Sequence, residues 1–334
     1  MTSMLSMNES YEKSDAGKAP LVLVTGGAGF IGSHLVRALL SEGYAVRGLD
    51  DFSTGKRANI AAFLDHPNFE LLAGDIRDAE ICRKACEGVT YVFHEAAKAS
   101  VAESMEKPEL YEDVNIRGTG NLLEASRENG VRRFIFASSS AVYGEPPAFP
   151  LREGEESEPI SVYARTKAEA EASARSCYEK YGLETIGLRY FNVFGPGQDP
   201  NGPYAAVIPH FIGAMRRGER PVIEGDGQQT RDFTAAADVV RANLLAMRAP
   251  AEKAAGKVYN IASGEEHSIL ELYEILAEAF GFTEGPIFGP PRKGDIRRSL
   301  ASIERAREAF GYEPQADFRE ALTELLKQKT ESLR

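Results

Sequence analysis

Tyr163-Ala164-Arg165-Thr166-Lys167 places a phenol and an amine four residues apart, near the start of a stretch with helical periodicity over 162–181. Positions i and i+4 share a helix face, so both groups can act on one spot. A free phenol ionises near ~10, too high for a base at neutral pH. A neighbouring ammonium favours the phenolate. The pair therefore reads as proton-transfer machinery, with Tyr163 as base and Lys167 as its electrostatic partner. An exposed helix face with the same spacing is the alternative. Tyr143 and Tyr178 are rival tyrosines, but no lysine follows Tyr178 at i+4. Ser138, Ser139 and Ser140 follow the apolar run from Phe134 to Ala137, where hydroxyls suit a sugar or, equally, a turn.

A second constellation says what the base could work with. Thr25-Gly26-Gly27-Ala28-Gly29-Phe30-Ile31-Gly32 follows the apolar run Leu21-Val22-Leu23-Val24 and leads into a helical pattern over 31–40. A strand, a glycine turn and a helix together build a dinucleotide site. Gly26 permits the turn, Gly29 lets the chain approach a pyrophosphate, and Gly32 lets the helix lie close to the strand. The helix N-terminus then offers N–H groups and a positive dipole end to the phosphates. The spacing differs from GxGxxG, and a tight turn without a ligand is the alternative. Asp50 ends the second strand, where a carboxylate binds ribose hydroxyls and repels a 2′-phosphate. It favours NAD over NADP, although Lys56 and Arg57 close behind pull the other way. Asp75-Ile76 ends the third strand, where adenine belongs; helix capping is the other use for Asp75 and Asp78. A cationic nicotinamide would add to the pull of Lys167 on Tyr163, and Lys167 can also bind the nicotinamide ribose.

These residues need a scaffold. Strands are expected at Leu21–Thr25, Ala45–Asp50, Phe69–Ala73, Thr90–Phe93, Phe134–Ala137 and Thr185–Tyr190, with helical patterns between them, notably over 110–129 and 162–181. Repeated βα units imply an α/β fold, a doubly wound parallel sheet of Rossmann type, with ligands at the carboxyl ends of its strands. Glycine- and proline-rich loops after Tyr190 mark a smaller C-terminal substrate-binding lobe. The expected division is a disordered tail over 1–19, a nucleotide-binding domain over 20–189 plus 234–263, and a substrate lobe over 190–233 plus 264–334.

The 334 residues carry a net charge of −11 and are 43% hydrophobic, which supports a full core and argues against nucleic-acid or anionic-membrane partners. No apolar run reaches membrane-span length, and residues 1–19 lack a signal-peptide core. Cys82, Cys86 and Cys177 form an odd set without framework spacing, as expected of reduced thiols in the cytoplasm. Cys82 and Cys86, one helical turn apart, read as two small residues on one helix face rather than a metal site, and no metal is expected.

Taken together, TGGAGFIG (25–32), GDIRD (74–78), HEAAKASV (94–101), NIRGT (115–119), SSSAVYGE (138–145), YARTK (163–167), RYFNVFGPGQDP (189–200), GDGQQTRDF (225–233) and RKGDIRRSL (292–300) resemble the extended short-chain dehydrogenase/reductase superfamily, specifically its UDP-hexose 4-epimerases. The resemblance covers roughly residues 20–325. It implies Tyr163 as catalytic base, Lys167 as its partner and Ser139 at the catalytic serine position. It implies NAD contacts at Gly26, Gly29, Phe30, Ile31, Gly32, Asp50, Asp51, Asp75, Ile76, Ala96, Ala97, Lys98, Asn115, Tyr163, Lys167 and Tyr190. For a UDP-sugar it implies Ser139, Ser140, Asn192, Val207 and Ile223. Arg231 and Arg292 would grip the diphosphate, with Asp295 near the ribose. A diphosphate needs such charge-assisted donors. A homodimer built on helices at 102–128 and 162–181 is also implied.

Three departures bear on the reaction. Related dehydratases carry an Asp-Glu pair, and decarboxylases a Glu, where this chain has Ser140 and Ala141. Elimination needs an added acid and base, so epimerisation ranks first and 4,6-dehydration or glucuronate epimerisation second. An NAD-binding sensor without catalysis is the reading from another class; it often lacks the Tyr/Lys pair kept here. Ser299 stands where some epimerases place a bulky Tyr, which leaves room for UDP-GlcNAc or UDP-GalNAc. Lys98 is unusual in its loop and could reach an anionic sugar or solvent.

Overall fold

The computed structural model describes residues 19–145, 148–199, 206–291 and 296–331. Seven parallel strands form its main sheet: β1 (Leu21–Thr25), β2 (Ala45–Asp50), β3 (Phe69–Ala73), β4 (Tyr91–His94), β5 (Arg133–Ser139), β6 (Glu184–Tyr190) and β7 (Lys257–Ile261), in the order β7-β6-β5-β4-β1-β2-β3. The order reverses between β1 and β4, which opens a crevice at the carboxyl ends of the strands. β1 is apolar and almost wholly buried, as a strand covered on both faces must be.

One face is covered by α1 (Phe30–Ser41) and a helix over 236–248. The other is covered by the short helix Ala79–Cys86, by α2 (Thr119–Glu128) and by α3 (Val162–Tyr181). The pattern predicted for 162–181 is one unbroken helix. Ser161 caps its first turn by accepting from the Ala164 N–H at 3.1 Å, and Gly182 ends it at φ +75°. Cys82 and Cys86 are buried and unpaired, and burial pushes their thiols up to about 12 and about 11.

The single helix expected over 110–129 is instead three pieces: Pro108–Tyr111, a π-helical stretch Glu112–Gly118, and α2. The wider turn accompanies a side-chain demand. Asn115 accepts from the Lys98 N–H at 2.9 Å and donates to the Lys98 carbonyl and the Thr166 hydroxyl, both at 3.0 Å. Gly118 lies against Ile76, whose Cδ1 would be 2.6 Å from a Cβ there. Such widened turns are common where a helix must re-aim a side chain.

A third apolar cluster lies beyond Tyr190, around Phe194, Phe211, Phe233, Tyr273 and Phe318, with Phe233 and Phe318 stacked at 5.1 Å. It forms the core of the smaller C-terminal lobe. Among the described residues, no helix is long and apolar enough to cross a membrane.

Candidate active site

A cavity of about 590 Å³ opens at the carboxyl ends of β1, β2, β4 and β5, a size typical of ligand sites. Its floor is the glycine turn. Gly26 sits at φ +66°, and a Cβ on Gly32 would stand 2.0 Å from the Gly26 carbonyl oxygen. Both positions therefore demand glycine. No side chain caps the start of α1 and no acidic residue stands in its first turn, so no group of the helix itself competes for the dipole end that faces the cavity. This glycine cradle fits a dinucleotide pyrophosphate.

Asp50 completes that half of the site. It is buried, and its two oxygens accept from the Ala28 N–H at 2.9 Å and the Phe52 N–H at 2.8 Å. Burial pushes the carboxyl upward while these two N–H groups hold it down. Asp51 lies beside it on the cavity wall and accepts from the Ser53 N–H. Lys56 and Arg57 are engaged elsewhere: Lys56 pairs with Asp199 at 2.6 Å and Arg57 stacks over Phe52 at 4.8 Å. Asp75 and Ile76 also line the cavity. The capping reading holds for Asp78, which accepts from the Glu80 and Ile81 N–H groups. Asp75 instead pairs with Arg77 at 2.5 Å, which holds its carboxyl below the usual range.

The reactive end lies between α3, β5 and β6. Tyr163, Lys167, Ser139, Ser140, Tyr190 and Asn192 all line it. The Lys167 ammonium donates to the Ala137 carbonyl at 2.9 Å and stands 6.0 Å from the centre of the Tyr163 ring. Burial lowers Lys167 to about 8. Burial raises Tyr163, with its hydrogen bond to Ser139 as the opposing influence. Among the rival tyrosines, Tyr143 is buried and donates to Asn260 at 2.7 Å, and Tyr178 is on the surface.

Ala96, Ala97 and Lys98 line the opposite wall. Lys98 reaches Ser53 at 3.1 Å, on the Asp50 side rather than towards Tyr163. Five expected residues among the described ones are not on the wall. Asn115 is buried behind Lys98, positioning that loop. Val207 begins a helix of the smaller lobe, and Ile223 is 1% exposed in that lobe's core, as the inward-facing side chain of a short strand in a two-stranded sheet. Ser299 is also buried away from the wall, at 6% exposed. Arg231 stands near the rim, donating to the Thr230 and Ile296 carbonyls at 2.8 and 2.6 Å, and Ile296 itself lines the cavity. Arg292 and Asp295 lie outside the described residues.

Two groups escaped the sequence reading. Glu95 opens on the cavity, accepts from the Tyr190 hydroxyl at 2.7 Å and is pushed by burial up to about 7. It sat inside the quoted HEAAKASV segment without being singled out. Glu171, one helical turn beyond Lys167, binds the buried Arg189 through both oxygens at 2.9 and 2.7 Å and accepts from Ser138. Its i+4 spacing from Lys167 was the signal available.

Residues 22–262 match the NAD dependent epimerase/dehydratase family. The chain belongs to that family. NAD is the cofactor of this epimerase/dehydratase family, and the glycine turn and Asp50 fit it. A UDP-glucose 4-epimerase of Mycolicibacterium smegmatis is 40% identical over 302 residues, 90% of this chain and 95% of the relative. The solved UDP-glucose 4-epimerase of Thermotoga maritima, holding UDP-glucose, superposes at a TM-score of 0.88 with 40% identity, covering 94% of this chain and 100% of that one. A UDP-N-acetylglucosamine 4-epimerase of Methanobrevibacter ruminantium M1, holding UDP-N-acetylmuramic acid, also gives 0.88, at 42% identity over 94% and 99%. These relatives support an NAD-dependent sugar-nucleotide epimerase.

Proposed function

We propose that the protein interconverts UDP-glucose and UDP-galactose, and with them UDP-GlcNAc and UDP-GalNAc, by transient oxidation at C4. The observation that carries this reading is the convergence of Tyr163, Lys167 and Ser139 at one end of the cavity, while Ser140 and Ala141 offer no acid or base for elimination. Bound NAD supplies a cationic ring able to take and return the C4 hydrogen with its electron pair. Tyr163 removes the proton of the 4-hydroxyl, aided by Ser139, which holds the sugar oxygen, and by the Lys167 charge. The 4-keto sugar turns about its phosphate linkage, and Tyr163 returns the proton to the opposite configuration. Arg231, with Arg292 and Asp295, grips the UDP moiety; a sugar held by its nucleotide alone is free to turn. Lys98, directed to Ser53, gives no support to an anionic sugar.

The likeness to the enzymes holding UDP-glucose and a UDP-N-acetylated sugar supports this substrate class. We read 20–189 with 234–263 as the NAD-binding domain and 190–233 with 264–334 as the UDP-sugar lobe. A homodimer through the helices at 102–128 and 162–181 accords with Met105 and Tyr181, which are 60% and 61% exposed there. Three buried, unpaired cysteines accord with a cytoplasmic setting.

The test is an assay without added NAD on UDP-glucose, UDP-GlcNAc and UDP-glucuronate separately, with products identified by NMR. C4 epimers of the first two are expected. A 4-keto-6-deoxy sugar would overturn the reading and place the acid and base of elimination outside Ser140-Ala141. Ser299 is buried three residues from the cavity-lining Ile296, so the ring of Ser299→Tyr should press that segment into the cavity and lower kcat/KM on the N-acetylated sugars by roughly tenfold or more relative to UDP-glucose. Equal losses on both would remove Ser299 from specificity.

A further inference from the structure

The proton-transfer scheme leaves Glu95 unused. It follows His94 at the end of β4 and is half-buried, open to the cavity. Its direction is built rather than incidental. The Tyr190 hydroxyl donates to its Oε1 at 2.7 Å, and Asn243, from the helix over 236–248, donates to the Tyr190 oxygen at 2.8 Å. Tyr190 lies on β6 beside Ser139 of β5, so the carboxylate stands at the reactive end, with Lys167 as the nearby cation. The other cavity carboxylates, Asp50, Asp51 and Asp75, stand after β2 and β3 at the nucleotide end.

Holding a carboxylate half-buried is costly, and packing does not require it, because an amide oxygen would accept from Tyr190 equally well. What only a carboxylate supplies is charge. The oxidised nicotinamide is a cation and the reduced ring is neutral, so a negative charge in the same cavity stabilises the oxidised form alone. Lys167 acts in the opposite sense.

We propose that Glu95, aimed by Tyr190 and Asn243, is the electrostatic partner of the nicotinamide that biases the bound cofactor towards its oxidised form. The proposal rests on the NAD-dependent reading of this cavity. Its use follows from the reaction: a cofactor that must be oxidised again in every turnover is stranded if it stays reduced after the keto sugar escapes.

The test is the reduction equilibrium of protein-bound cofactor, poised against a mediator couple of known potential and read by the absorbance of the reduced ring. Glu95→Gln keeps an oxygen for Tyr190 and removes the charge. It should shift the equilibrium towards the reduced form by about tenfold, ~30 mV for a two-electron couple. The difference from wild type should shrink as pH falls below about 7, where the wild-type carboxyl takes up its own proton. His94 beside it is lowered by burial to about 3, and the phenols of Tyr190 from β6 and Tyr163 from α3 are raised by burial, so none of them titrates in that range. Lys167 from α3, lowered by burial to about 8 and held up in part by Glu95, does titrate nearby, and the same pH series on Glu95→Asp, which keeps the charge beside Lys167, separates its contribution. Glu95→Asp should keep the wild-type equilibrium. The wild-type curve alone should show the extra pH dependence, even if the Gln variant folds poorly. An equilibrium unchanged in Glu95→Gln, or Asp and Gln variants shifted alike, would overturn the proposal with the cofactor reading intact. A protein that releases no nicotinamide on denaturation and takes none up would overturn both.

Discussion

Tyr163→Phe should lower kcat by roughly a thousandfold, within the range for losing a general base, while the protein keeps its NAD. The separation of the two effects follows from where the phenol sits. The Tyr163 ring packs edge-on against Tyr111 at 6.5 Å, and its backbone N–H donates to the Ser104 hydroxyl at 3.1 Å. Phenylalanine preserves both. The nucleotide half of the cavity rests on the glycine turn and Asp50, neither of which involves the phenol. Lys167 stays tied to the Ala137 carbonyl. What disappears is the one oxygen able to take the sugar proton. The check is kcat beside the amount of cofactor released on denaturation. A variant that turns over at the wild-type rate would move the base elsewhere; one that loses NAD with its activity would make Tyr163 a binding residue instead.

What the sequence revealed depended on whether a signal was periodic. Leu21–Thr25 was readable because an inner parallel strand is one apolar run, and 162–181 because a serine cap and a glycine stop frame a helical stripe. β5 runs two residues past the expected Ala137, through Ser138 and Ser139: Ser138 finds its partner in Glu171, while Ser139 lies on the cavity wall and also accepts from the Ala141 N–H of the turn that follows. The widened turn over 112–118 was not readable: helical spacing is continuous there, and only the contacts of Asn115 with Lys98 and Thr166 reveal it. The same limit hid Glu95, whose partner Tyr190 is 95 residues away. Motifs name the residues that meet a ligand better than those that aim them.

Glu171→Leu should destabilise the protein by about 3 kcal/mol or more, the cost of leaving a buried charge without its main partner. Arg189 is 3% exposed, binds Glu171 through two nitrogens, also pairs with Glu156, and stacks on Tyr143 at 4.9 Å. Removing Glu171 leaves that guanidinium with one partner and strips the Ser138 hydroxyl of its acceptor. Glu171 also belongs to the face of α3 that carries Tyr163 and Lys167, all three being buried. Through Arg189 and Ser138, which oppose one another on β6 and β5, it fastens that face to the strands bearing Tyr190 and Ser139. Stability and turnover should therefore separate in the double variant Glu171→Leu/Arg189→Met. Replacing both charges with apolar groups should restore much of the lost stability. Turnover should stay well below wild type, because the tie that sets Tyr163 against Ser139 is still missing. Unfolding midpoints and kcat measured on the two variants decide it. If activity returns in step with stability, the ion pair only holds the core together and does not aim the base.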